Sequence, residues 1–80
     1  MTVWRHDALT GNTHATHYAK PLRHEFVVGR GTGPLWIATD LEYDYSSDPA
    51  TDRANQISTI GEEFDSEAAA QAACERRAAS

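Results

Sequence analysis

Residues 35–45 read Leu-Trp-Ile-Ala-Thr-Asp-Leu-Glu-Tyr-Asp-Tyr, an alternation that runs almost unbroken from end to end. Leu35, Ile37, Leu41, Tyr43 and Tyr45 fall on one side, and Trp36, Ala38, Asp40, Glu42 and Asp44 on the other. Successive side chains of a strand point to opposite faces, so a period of two is the pattern of a half-buried antiparallel strand. The pattern predicts that the apolar set faces the core and the acidic set faces solvent. A strand of this kind cannot stand alone. The rest of the chain must supply partner strands and a second layer.

His24-Glu-Phe-Val-Val-Gly-Arg30 supplies the first partner, because its centre is β-branched and aromatic. The Gly29-Arg-Gly-Thr-Gly-Pro34 stretch joins the two as the turn of a hairpin. Gln56 to Ile60 reads as a third strand that ends at Gly61, and Val3 to His6 as a short further one. The remainder of residues 1–23 keeps no apolar period and is expected to be largely irregular. Residues 46–55 form a polar insertion, in which Asp48-Pro49 has the form of a helix cap and first helical residue. Residues 65–79 predict a helix. Asp65 or Ser66 can cap it, Glu67 suits its N-terminal dipole, and Arg76 and Arg77 suit its C-terminal end. Its alanine-rich face packs close to a sheet but buries little area per residue. The core is therefore expected from Phe26, Val28, Leu35, Ile37, Leu41, Tyr43, Ile57, Ile60 and Phe64. The fold class that follows is α+β: a small antiparallel sheet of about three to four strands against one C-terminal helix.

At 80 residues the chain is one domain, 1–80. A domain near this length buries only roughly 60% of its unfolded surface, which leaves little room for a deep catalytic cleft. Cys74 is the one cysteine, so no internal disulfide is possible and a reducing, cytoplasmic compartment fits. No stretch is apolar for the roughly 18–20 residues that span a bilayer, and no signal peptide is expected.

Charge is distributed unevenly. The total is −5, yet residues 40–67 alone carry nine of the twelve acids against Arg53. The flanking segments are slightly positive, and all four histidines lie in the first 24 residues. Such asymmetry says more about a partner than the total does. The negative balance disfavours nucleic acid or an anionic membrane as a direct ligand.

Motifs for chemistry are sparse. His14 and His17 have HxxH spacing, with His6 and His24 flanking, and imidazole suits zinc or nickel. That spacing joins two ligands only on a helix, which residues 13–18 do not support, so no metal or cofactor is expected. Cys74 has Glu75 beside it, which disfavours a reactive thiolate and points to a packing role. Gly29, Gly31 and Gly33 precede Pro34 and a strand instead of a helix, which excludes a phosphate loop. Acids in a run read as a surface in preference to an acid–base pair, so no enzymatic activity is expected.

The acidic strand has a more specific reading. Asp40, Glu42 and Asp44 recur every second residue, roughly 6.6–6.8 Å apart on one face. Glu62, Glu63, Asp65 and Glu67 follow at the helix entrance and could extend the same surface. Like charges so close repel, and a fold does not require them. A row of carboxylates can imitate a phosphate backbone, as a DNA mimic does. Its partner would be a protein groove lined with Lys and Arg, and Trp36 on the same face would anchor the contact. The competing reading is a solubilising face, although such faces usually mix in lysine.

The acidic strand Asp40-Leu-Glu-Tyr-Asp-Tyr45 and the junction Glu62-Glu-Phe-Asp-Ser-Glu67 resemble, as a type, small phage-encoded inhibitors of the anti-CRISPR kind. The resemblance implies a non-enzymatic inhibitor acting in the host bacterial cytoplasm. It would occupy a basic surface of a CRISPR effector complex of the Cascade type. The protein-binding residues expected are Asp40, Glu42, Asp44, Glu62, Glu63, Asp65, Glu67 and Trp36. Two alternatives stand beside it: a structural phage or bacterial protein that oligomerises through its sheet edge, and a metal module built on the four histidines. Either a monomer or a small homo-oligomer is compatible.

Overall fold

The computed structural model describes residues 2–31, 33–46, 48 and 53–79. Five strands and a helix follow in order: β1 (Arg5–His6), β2 (Thr13–Ala19), β3 (Leu22–Arg30), β4 (Trp36–Asp44), β5 (Gln56–Thr59) and α1 (Glu67–Ala79). The strands form one sheet in sequence order, and each neighbouring pair is antiparallel. The helix lies across one face, against β3 and β4. The class is α+β as expected, with five strands in place of three to four. No helix among the described residues is long and apolar enough to cross a membrane.

The additional strand comes from the segment expected to be irregular. Thr13 to Ala19 pairs along its whole length with Leu22 to Val28. Its sequence hides the pattern because the inward residues are small: Thr13 and Ala15 are buried, while the bulkier His14 and Thr16 are not. The turn before it is built locally. The Asp7 carboxylate accepts the Leu9 N–H at 2.9 Å, and this bond holds its carboxyl below the ordinary value. The Gly11 N–H donates to the Asp7 carbonyl at 2.8 Å. Gly11 has φ 76°, a conformation that glycine adopts without a Cβ clash. The helical turn expected from Pro49 onward lies outside the described residues.

The helix begins one residue after its cap. The Ser66 hydroxyl oxygen accepts the Ala69 N–H at 3.1 Å. Glu67 occupies the first turn, and Arg76 and Arg77 the last. The inward face carries Ala70, Ala73 and Cys74, all buried.

The alternation of β4 is correct in period but reversed in direction. Phe26 and Val28 of β3 stand in register with Asp40 and Ala38 of β4, and with Ala15 and Thr13 of β2. This is the face that α1 covers. The core comprises Phe26, Val28, Ala38, Ile60, Ala70, Ala73 and Cys74, with Trp4, Trp36 and Phe64 packed at its margin. Leu35, Ile37, Leu41, Tyr43 and Ile57, expected in the core, are not part of it. The reason is steric. An alanine helix gains contact only by close approach, and Ala15 and Ala38 offer a surface low enough for it. Phe26 and Val28 fill the space beside these alanines, whereas the β4 face of Ile37, Leu41 and Tyr43 has no alanine on which the helix could seat.

Cys74 sits at the centre of this thin layer and is fully buried. Burial pushes its thiol up from 9.0 to about 11, and the charges of Asp40 and Glu75 add to the effect. The fold holds the protonated form more tightly than the unfolded chain does. The corresponding stability is complete below about 9 and is lost as pH rises through about 11. In urea unfolding, the stability advantage of wild type over Cys74→Ala should shrink across this window. An advantage that stays constant from pH 8 to 11 would show that the thiol does not carry the effect.

Candidate protein-binding surface

The two faces of the sheet have different chemistry. On the helix-covered face, α1 has too few large apolar side chains to hold by burial alone, and polar bonds complete its attachment. Trp4 Nε1 donates to Glu75 Oε2 at 3.0 Å, and Gln71 Nε2 donates to Thr13 Oγ1 at 3.1 Å. Near the C-terminal end, Arg77 Nε donates to Asp40 Oδ2 at 2.7 Å. The other carboxylate oxygen of Asp40 lies 2.9 Å from His24 Nδ1.

Asp40 is therefore a structural carboxylate. It is 3% exposed, and a partner protein cannot reach it. Trp36 is likewise not an exposed anchor. Its backbone exchanges two 2.8 Å hydrogen bonds with Phe64, its ring packs on the core, and the Arg30 guanidinium lies 5.1 Å from the ring centroid. Glu42 is half-buried on the same face, and exposed Asp44 accepts a 2.9 Å bond from Asn55 Nδ2. Glu67 is half-buried in the first turn of the helix. The expected single ladder of acids is thus divided.

Glu62, Glu63 and Asp65 are exposed and share a surface of their own. With Leu35, Ile37 and Thr59 they line an open groove of about 560 Å³. Ile37 belongs to the opposite face of β4 from Asp40, so this groove opens on the side away from the helix. No described helix or strand packs on that side. It carries Val27, Ile37, Leu41, Tyr43 and Ile57, and Ile57 is 69% exposed. On β2 and β3 the same face is polar: the Thr16 hydroxyl donates to Glu25 at 2.8 Å, and Arg23 Nε lies 3.6 Å from that carboxylate. A face of mixed chemistry, apolar on β4 and β5 with an acidic rim at one end, has the composition of an interaction surface.

The far end of the same face differs. Tyr18, Arg23 and Tyr43 stand in register there. The Arg23 guanidinium lies 4.6 Å from the Tyr43 ring centroid, and Lys20 Nζ lies 4.8 Å from that of Tyr45. Leu35, Ile37 and Thr59 were not legible as binding residues, because an alternating run cannot say which of its faces a later helix will cover.

The histidines do not assemble into one cluster. In a strand, residues three apart point to opposite faces, so His14 and His17 of the HxxH pair diverge. His14 Nε2 lies 3.9 Å from Asp7 Oδ2, whereas His17 faces His24 across the sheet on the helix side. Among the described residues, no group of three or more His, Cys, Asp or Glu is placed to hold a metal ion.

Asp40→Ala should lower the unfolding free energy by about 1–3 kcal/mol, the usual cost of leaving buried hydrogen-bond partners unmatched. Paired with Arg77→Ala in a double-mutant cycle by urea unfolding, it should show coupling of at least about 0.5 kcal/mol. Additive losses would mean that the two residues stabilise the helix independently.

No protein-family model, no curated protein and no solved structure matches the chain.

Proposed function

We propose that this chain is a non-enzymatic binding protein. Its uncovered sheet face would dock on a basic surface of a protein partner. The observation that carries this reading is the groove in which Glu62, Glu63 and Asp65 surround an apolar floor of Leu35 and Ile37. Lys and Arg have long apolar stems and charged ends. A basic surface therefore matches both parts of the groove: stems on the floor, charges at the rim. Basic surfaces of this kind line the nucleic-acid grooves of proteins that handle DNA or RNA. The most specific form of the reading is an inhibitor of the anti-CRISPR type, acting in the bacterial cytoplasm on a Cascade-like effector. Net charge of −5 steers association with such a surface and makes it salt-sensitive.

The binding residues in this reading are Glu62, Glu63 and Asp65, with Glu42, Asp44 and Glu67 outside the groove and Asp40 and Trp36 serving the fold. Reversal of Glu62, Glu63 and Asp65 to Lys leaves the core untouched. In a DNA-binding assay with a purified Cascade-like complex, wild type should inhibit and the triple variant should lose at least about tenfold in potency, since each rim charge acts chiefly on the encounter. Equal inhibition by both proteins would exclude the groove. Absence of inhibition by wild type would exclude the CRISPR form of the reading.

A second reading rests on the two unlike ends of the open face. A two-fold axis lying across the strands would stack two such faces and set the Tyr18–Lys20–Tyr45 end of one copy against the acidic end of the other. The sheet edges are less suited to self-pairing, since β1 has two residues and β5 has four. Sedimentation should then show a dimer that dissociates in high salt. A monomer at all salt and protein concentrations would leave the face to a different protein.

A further inference from the structure

A separate recess lies between the C-terminal end of α1 and strands β2 and β3. It has a volume of about 330 Å³, and His17, His24, Asp40, Arg77 and Phe26 contribute to its walls. The acidic groove on the opposite face shares none of these residues. Asp40 is buried at its edge and fixes two of the other side chains at once, His24 through Nδ1 and Arg77 through Nε.

This division of bonds determines what faces the recess. A carboxylate can only accept, so the bond to Asp40 uses a proton on His24 Nδ1 and leaves Nε2 with no hydrogen-bond partner among the described residues. Protonation makes Nε2 a second donor. Arg77 commits Nε to Asp40 and keeps both terminal nitrogens for another partner, and its side chain is 47% exposed. His17, in register with His24 on the same face, adds a second imidazole, with ring centroids 6.1 Å apart. Among the described residues nothing is hydrogen-bonded to the His17 ring.

We propose that this recess binds the phosphate group of a small phosphorylated molecule. A metal ion fits poorly, because both oxygens of Asp40 are already engaged and no three ligand side chains converge among the described residues. A carboxylate fits only in part. The paired terminal nitrogens of Arg77 take two oxygens, and the two imidazoles then need a third. A phosphate monoester has three terminal oxygens, which matches a guanidinium fork plus imidazole donors. The remaining space admits the organic part of the ester. Glu42, the register partner of His24 on β4, lies outside the recess walls. His17, His24, Asp40 and Arg77 are the ionisable groups that line it.

The test is NMR of the imidazole signals of the intact protein, titrated with inorganic phosphate against chloride at matched ionic strength. Signals of His17 and His24 should move and saturate, while those of His6 and His14 stay fixed. Loss of one charge-assisted donor should weaken binding roughly tenfold. His17→Ala is the cleanest variant, because His17 makes no hydrogen bond that the fold needs. Arg77→Lys should also weaken binding, since it retains the charge beside Asp40 but loses the fork. Acetate at the same concentration should bind more weakly than phosphate. The proposal fails if all four histidines respond alike, if His17→Ala titrates as wild type does, or if acetate is equivalent to phosphate. None of these outcomes bears on the acidic groove.

Discussion

The arrangement of this protein turns on one buried carboxylate. Asp40 lies on the covered face of β4 with both oxygens engaged, one by Arg77 and one by His24. A buried carboxylate without partners would cost several kcal/mol and would be driven from that face. With these partners it becomes the attachment point for the C-terminal part of the helix. That matters because α1 has alanines and one cysteine where most helices carry leucine or isoleucine. Close approach of small residues gives the layer its packing, and Arg77, Glu75 and Gln71 anchor the helix along its length.

The same choice leaves several large apolar side chains of the sheet uncovered. Val27, Ile37, Leu41, Tyr43 and Ile57 lie on the face without a helix. An antiparallel sheet tolerates a solvated face, but a solvated face is ordinarily polar. This one is apolar along β4 and β5, crossed by the Thr16–Glu25–Arg23 group on β2 and β3, acidic at one end and basic–aromatic at the other. The helix takes the side of the sheet that suits its small residues, and no described element covers the other side.

Much of the fold was legible in the sequence. The strands at residues 24–30, 35–45 and 56–60, the glycine turn and the capped helix all follow from local pattern and propensity, and all are present to within a few residues. Two features were not legible. The strand Thr13–Ala19 has small inward residues, so its alternation lacks the contrast in hydrophobicity on which a period of two depends. The facing of β4 was read from hydrophobicity alone, which assigns Asp40 to solvent. What reverses that assignment is a pair of distant residues, Arg77 and His24, separated from Asp40 by 37 and 16 positions. No local pattern encodes such a pairing. It depends on where the helix ends once it has crossed the sheet.

The division of the acids follows from this reversal and changes what the charge can do. Taken along the chain, residues 40–67 form one negative block. In space, Asp40 is consumed by the fold, Glu42 and Asp44 remain on the helix side, and Glu62, Glu63 and Asp65 gather round Leu35 and Ile37. A regular row of charge imitating a phosphate backbone needs all three members of the strand exposed and collinear, and burial of Asp40 removes one end of that row and leaves two acids. What is left is a compact acidic rim round an apolar floor. Under the proposed binding role, a rim of that kind would select for the aliphatic stems of basic side chains as much as for their charge. Recognition through such a groove would then depend on the shape of the partner, and a polyelectrolyte mimic that reads charge alone would have no use for Leu35 or Ile37.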